Sequence, residues 1–377
     1  MGIVDHVDPD GLLEYSVVFN DRSLNSMSKA FQQIMRDISA SLRQAYHAEA
    51  AILVPGGGTF GMEAIARQFA VGQKCLIIRN GWFSFRWTEI LEKGQLASAT
   101  KILCASRISD TDRSNQPAPF APAAIEQVIE EISQFKPAVV CAPHVETSAG
   151  MMLPDDYIRS VAQAAHAVGA IFVLDCVASG ALFVDMADLG VDVLLTAPQK
   201  GWTASPCAGV VMLGAEGLNR LEQTQSNSYA CDLAKWHAIM QAYGNGGHAY
   251  HATMPTDGLK IFRDALHETR DFGFDKAKKA QIELGQKMRD LTQSYGYQSV
   301  AAEGYQAPSV IVNFTTDPDL KSGKKFAEQG VQIAAGVPLQ VGEGEAYMSF
   351  RIGLFGLDKL QNIDRTVQLL QDALGKL

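Results

Sequence analysis

The apolar residues of this chain fall into two rhythms. Met27, Phe31, Ile34, Met35, Ile38, Leu42 and Tyr46 recur every three or four residues. That is the spacing of one helix face, and it predicts an amphipathic helix near the N-terminus. Beyond it, short and nearly continuous apolar runs at residues 51–54, 75–79, 138–142, 170–174, 193–196 and 209–213 alternate with helix-patterned stretches such as 61–69, 123–133 and 155–168. Strands apolar on both faces must be covered on both faces. Runs of this kind, separated by helices, predict an α/β fold with a mostly parallel sheet between helical layers. After about Pro255 the rhythm changes. A charged helical region over 258–294, strands at 309–314 and 347–352 and a terminal helix over 357–374 predict a smaller C-terminal α+β domain. The expected division is 1–255, an N-terminal arm with the large domain, and 256–377, the small domain.

Composition narrows the classes. A chain of 377 residues exceeds one compact core of ordinary size, in keeping with two domains. Hydrophobic residues at 47% and charged residues at 19% are the balance of a soluble, well-packed protein. No apolar run approaches the roughly 20 residues of a bilayer span, so no membrane segment is expected. The net charge of −9 opposes binding to nucleic acid or anionic membrane surfaces. The N-terminus, MGIVDHVDPDGLLEY, is acidic and does not read as a signal peptide. Cys75, Cys104, Cys141, Cys176, Cys207 and Cys231 are scattered without a CxxC pair, and several sit in apolar runs. Reduced core cysteines behave this way, so a cytoplasmic protein without disulfides or bound metal is expected.

In an open parallel sheet, ligands gather beyond the carboxyl ends of the strands. Four signals lie at such ends or in the last predicted strand. Val54-Pro55-Gly56-Gly57-Gly58-Thr59 leaves a strand and opens a helix, where bare backbone N–H groups and a hydroxyl can hold an anion. A plain turn has the same pattern, and the spacing is neither that of a dinucleotide fold nor that of a Walker loop. Asp175 ends the apolar run 171–174, where an acid can hold a cationic ring nitrogen, cap a helix or bind a metal. Lys200 sits in the turn Thr196-Ala197-Pro198-Gln199-Lys200-Gly201-Trp202. An apolar turn desolvates a lysine and makes it a nucleophile; an ordinary surface lysine is the alternative. Arg351 interrupts an apolar segment, so its guanidinium needs either a substrate carboxylate or an internal salt bridge.

The order and spacing of these signals resemble the class V aminotransferases of pyridoxal-phosphate fold type I, especially the alanine/serine–glyoxylate branch. The resemblance runs from about residue 25 to the C-terminus. It rests on seven blocks in family order: GGGTFGMEA (56–64), RNGWFSFR (79–86), HVETSAGMMLP (144–154), LDCVASGA (174–181), APQKGW (197–202), YHATMP (250–255) and FRIGLFG (350–356). It implies pyridoxal 5′-phosphate bound as a Schiff base to Lys200, with Gly57, Gly58, Thr59 and Gln199 around the phosphate. Phe83 would stack on the ring, Ser148 or Thr147 would lie near the ring hydroxyl, and Asp175 would pair with the ring nitrogen. Val177 would pack on the opposite ring face. Tyr250 and Thr253 would reach the phosphate of a partner subunit, which implies a homodimer with shared sites. Arg351 would clamp the substrate carboxylate.

The implied activity is ping-pong transamination between a small α-amino acid (Ala, Ser or Gly-like) and a 2-oxo acid such as glyoxylate or pyruvate, with Lys200 as general base and acid. The chain departs from the pattern in three places. It lacks the Gly-Pro-Gly opening of the branch, Ser84 replaces the usual Gly after the stacking aromatic, and Thr59 stands where some relatives carry His. A lyase of the cysteine-desulfurase kind is an alternative, but it calls for His before the lysine and a loop Cys, where this chain has Gln199 and Val337-Pro338-Leu339. A non-catalytic phosphate-binding α/β protein is a further alternative, which has no need of the Lys200, Asp175 and Arg351 combination. His248-x-x-His251 lacks an acidic third ligand, His144 and Cys176 are read chiefly as packing residues, and Trp82 and Trp202 flank the expected site, where lining it and packing in the core are equally reasonable.

Overall fold

The computed structural model describes residues 7–108 and 117–377; the first six residues of the acidic N-terminus therefore lie outside the described residues. The N-terminal amphipathic helix is α1 (Lys29–Tyr46), started by the Ser28 hydroxyl accepting the Phe31 N–H. It is followed by β1 (Ala50–Pro55), α2 (Gly58–Phe69), β2 (Lys74–Arg79), α3 (Trp82–Lys93) and β3 (Ala99–Cys104). Next come α4 (Ile125–Phe135), β4 (Val139–Pro143), α5 (Asp155–Ala167), β5 (Ile171–Asp175), β6 (Val193–Thr196) and β7 (Ala208–Leu213). The seven strands form one sheet in the order β1-β7-β6-β5-β4-β2-β3. Strands β6, β5, β4, β2 and β3 run parallel, while β7 runs antiparallel to both β6 and β1. The predicted parallel α/β sheet is present, with one reversed strand inserted beside its edge.

The C-terminal part begins with α6 (Leu233–Gly244) and α7 (Thr256–Phe272), both of which pack on α1. The helical region expected over 258–294 is two helices. Gly273 takes φ +101, a backbone setting that favours glycine, and ends α7 before α8 (Phe274–Ser294). A second, three-stranded antiparallel sheet holds β8 (Val310–Phe314), β9 (Ala334–Ala335) and β10 (Ser349–Gly353), in the order β8-β10-β9. The expected terminal helix breaks at Asn362 into α9 (Leu357–Gln361) and α10 (Ile363–Leu374). Buried apolar residues of the main sheet form one continuous core that reaches Phe350 and Ile352 of β10. Among the described residues no helix is long and apolar enough to cross a membrane, and all six cysteines are unpaired.

Candidate active site

The parallel strands deliver their carboxyl ends to one side of the sheet, and a cavity of about 180 Å³ opens there. It is lined by Gly58 and Thr59 after β1, Phe83 and Arg86 of α3, Thr147 after β4, Asp175 and Val177 at the end of β5, and Gln199 and Lys200 after β6. The turn at Gly56–Gly58 closes because Gly56 adopts φ +124 and Gly57 is the extended N-cap of α2. A side chain at Gly58 would meet Val177 Cγ2 at 3.0 Å, so glycine keeps the backbone N–H groups of the α2 terminus facing the cavity.

Asp175 is buried, and its carboxylate accepts the Val177 N–H at 3.0 Å. Burial pushes its pKa up to about 6; that hydrogen bond and the charge of Lys200 oppose the rise, and Glu146 adds to it. Lys200 is largely desolvated, which lowers its ammonium pKa; Arg351 lowers it further while Asp175 and Glu146 oppose. The Lys200 Nζ stands 5.4 Å from the centre of the Phe83 ring and 5.6 Å from that of Phe355. The Arg351 guanidinium lies 5.6 Å from the same Phe83 ring, and its Nε donates to Ala335 O at 2.8 Å. Arg86 lies over that ring at 4.7 Å and donates to Thr59 Oγ1 at 3.2 Å. Three cations thus surround one aromatic ring, a field that favours anionic ligands.

The remaining expected residues divide. Ser148 is buried and turned into the protein: its Oγ accepts the Trp82 N–H at 2.9 Å and donates to Glu146 Oε1 at 2.7 Å, while Thr147 faces the cavity. Gln199 lines the cavity with its side chain exposed. Tyr250 and Thr253 lie together on the surface, 3.3 Å apart between hydroxyl oxygens, and do not line the cavity of their own chain. His144 is buried against Ser179 Oγ at 2.8 Å, and burial takes its pKa down to about 4, so it is a neutral packing residue. His251 bonds Tyr229 O at 2.7 Å. Among the described residues no cluster of His, Cys, Asp or Glu could hold a metal ion. Burial raises the Cys176 thiol well above its usual range and leaves it unreactive. Trp202 packs in an aromatic cluster with Tyr46, Phe183 and Phe274.

Three residues at the site were not anticipated: Arg86, Phe355 and Glu146. Glu146 is fully buried and accepts five hydrogen bonds, from the Phe83, Ser84 and Ser148 N–H groups and from the Ser84 and Ser148 hydroxyls, at 2.7–3.2 Å. It satisfies the exposed amide groups at the start of α3, a carboxylate at the positive end of a helix. Gly81 makes this approach possible, since a Cβ there would sit 2.1 Å from Ser148 Oγ. The signal was available: an acid inside an apolar stretch calls for partners as much as Arg351 does.

The family model of the class-V aminotransferases matches residues 12–339. The chain belongs to the class-V aminotransferase family. It is 26% identical to the 2-aminoethylphosphonate–pyruvate transaminase of Syntrophobacter fumaroxidans over 94% of this chain and 90% of the relative. It is 28% identical to the enzyme of the same name from Paraburkholderia phymatum, over 89% and 86%. An alanine–glyoxylate aminotransferase from Nostoc sp. superposes with a TM-score of 0.75 at 20% identity, covering 92% of this chain and 87% of that one. This aminotransferase is therefore a pyridoxal-phosphate-dependent enzyme of the α/β fold seen in those structures. The residues present fit the cofactor: a buried carboxylate without an ion-pair partner among the described residues, a desolvated lysine and a glycine-lined helix start share one cavity.

Proposed function

We propose that the enzyme moves an amino group between a small α-amino acid (Ala, Ser or Gly-like) and a small 2-oxo acid such as glyoxylate or pyruvate, with Lys200 as the cofactor-bearing residue. The observation that carries this reading is the meeting of Lys200 and Arg351 at the Phe83 ring, with Asp175 in the same cavity. When bound, pyridoxal phosphate supplies an electron sink for the pair left behind by a proton on the substrate Cα. Gly57, Gly58 and Thr59 would hold its phosphate at the start of α2, with Gln199 beside them, and Phe83 and Val177 would enclose its ring. Thr147, on the cavity wall, would serve the ring hydroxyl, and Ser148 would support it from behind through the Glu146 network. Asp175 would hold a proton on the ring nitrogen. Burial disfavours the charged form of Lys200, which suits it to accept the proton from the substrate Cα and to return it. Arg351, whose Nε is held by Ala335 O, would clamp the substrate carboxylate through its two Nη groups in both halves of a ping-pong cycle.

The curated relatives favour a second donor, 2-aminoethylphosphonate, with pyruvate as acceptor. Arg351 serves that reading too, because the acceptor brings its carboxylate to the same place that the donor's phosphonate has left. A homodimer with shared sites is proposed alongside. Tyr250 and Thr253 stand exposed, and Leu12, Leu13, Tyr15 and Val17 leave apolar side chains in solvent, as subunit contacts do before assembly.

The test is an absorbance titration of the purified enzyme with alanine, serine, aspartate and 2-aminoethylphosphonate. Loss of the visible band with an amino donor, recovery with pyruvate or glyoxylate, and borohydride fixation to Lys200 support the proposal. The donor that bleaches fastest identifies the substrate. A Lys200→Ala variant that keeps normal turnover sinks it, as does a band that no amine bleaches.

A further inference from the structure

The turn that carries Lys200 contains a backbone outlier. Thr203 adopts φ +60, a left-handed setting in which a β-branched residue is strained and glycine or asparagine is at ease. The rest of the turn does not force this on a threonine by contact alone. Thr203 N–H donates to Lys200 O at 3.0 Å and Ala204 N–H to Pro198 O at 3.0 Å, bonds that a glycine would make equally. The turn is also pressed on the loop that follows β5, where a side chain at Gly201 would sit 2.1 Å from Gly180 O. What is particular to threonine is the hydroxyl. Its Oγ1 accepts the N–H of Leu357 at 3.0 Å, 154 residues further along the chain.

Leu357 opens α9, six residues after Arg351, and is itself buried. The stretch between them touches the lysine turn twice. Phe355 presents its ring 5.6 Å from Lys200 Nζ, and Thr203 takes the Leu357 amide. Leu354 N–H is held by Ser309 O at 2.9 Å, so the segment leaving β10 is fixed at both ends of its path. A strained, solvent-facing threonine is retained where the surroundings over-determine it, and strain of this kind gathers at functional sites.

We propose that Thr203 is a positioning residue: its hydroxyl latches the Lys200 turn to the segment that carries Arg351, fixing the distance between the proton-transfer amine and the carboxylate clamp. The inference rests on the roles given above to Lys200 and Arg351. It adds that the two are coupled through one hydrogen bond between the main sheet's loop and the second sheet's exit. The chain supplies the control it needs, because serine keeps the hydroxyl without the β-methyl, and glycine relieves the strain while losing the latch.

The experiment compares Thr203→Gly and Thr203→Ser in the full-length holoenzyme by three readouts: thermal melting, hydrogen exchange of the Leu357 amide, and the split between KM and kcat for the 2-oxo acid. Thr203→Gly is expected to melt no lower than the parent while its Leu357 amide exchanges faster and KM rises about fivefold, the effect of one lost hydrogen bond. Thr203→Ser is expected to match the parent in exchange and KM. Unchanged Leu357 exchange in Thr203→Gly overturns the latch. Faster exchange with an unchanged KM overturns its positioning role, as does a large fall in melting temperature with KM untouched. If Arg351→Leu itself leaves KM unchanged, the clamp reading fails, while the exchange of the Leu357 amide still decides the latch.

Discussion

Replacing Asp175 by asparagine separates what this carboxylate does for the fold from what it does for the cofactor. In the cofactor-free protein Asp175 is buried and its pKa stands at about 6 against an ordinary 3.8. Below about pH 3.8 both folded and unfolded chains carry the proton and the group is neutral in its effect. Between 3.8 and about 6 the unfolded chain gives up its proton while the folded one keeps it, so stability falls as pH rises. Above about 6 the loss is complete, and the shift of roughly two units amounts to ~3 kcal/mol. Asparagine still accepts the Val177 N–H through its Oδ1 and carries no charge to desolvate. Urea unfolding of cofactor-free protein at pH 8 should therefore find Asp175→Asn more stable than the parent by up to ~3 kcal/mol, with the gap closing toward pH 4. The same variant, loaded with pyridoxal phosphate, should lose most turnover, because nothing then holds the ring-nitrogen proton. A variant less stable at pH 8, or a gap that does not change with pH, would refute the assignment of Asp175 as a buried charge kept for a cation.

Glu146→Gln should lower the midpoint of thermal unfolding and weaken cofactor binding, since an amide cannot accept all five bonds and leaves α3 amides unpaired at about 1–3 kcal/mol each; fluorescence quenching on cofactor addition measures the binding, and an unchanged dissociation constant would rule out support of Phe83. Arg351→Leu should raise KM for the oxo acid by about a hundredfold with a smaller change in kcat, the loss of a charge-assisted bidentate contact; steady-state kinetics with pyruvate and glyoxylate decide it. Tyr250→Phe should leave a dimer by sedimentation yet bind cofactor more weakly, and a fully active monomer of the parent protein would remove the shared-site proposal altogether.

The sheet was legible because its strands are apolar on both faces, a pattern few other elements share. The edge strand β3, with Lys101 between Thr100 and Ile102, shows no such run and escaped notice. So did α3: its start, Trp82-Phe83-Ser84-Phe85, is rich in aromatics that favour strands, and helicity there is imposed by Glu146 and Ser148 holding its first amides. Asp175, which ends a strand, and Lys200, in the turn after one, announce themselves because a charge follows an apolar run. Thr203 announces nothing. Its residue type argues against the left-handed setting it adopts, and only the distant Leu357 amide explains it.

The reversed strand β7 has a consequence for synthesis of the chain. β1, which leads into the turn at Gly56–Gly58, pairs with no strand but β7 among the described residues, and Gly56 N–H is held by Cys207 O. Residues 50–58 emerge from the ribosome early, yet they cannot dock until residues 207–213 have followed. A nascent chain halted just after Lys200 thus owns the lysine and Asp175 but lacks the strand that pairs with β1 beside the turn proposed to seat the phosphate. With the role proposed for that turn, cofactor capture is expected late in translation, timed by the one strand that runs the other way.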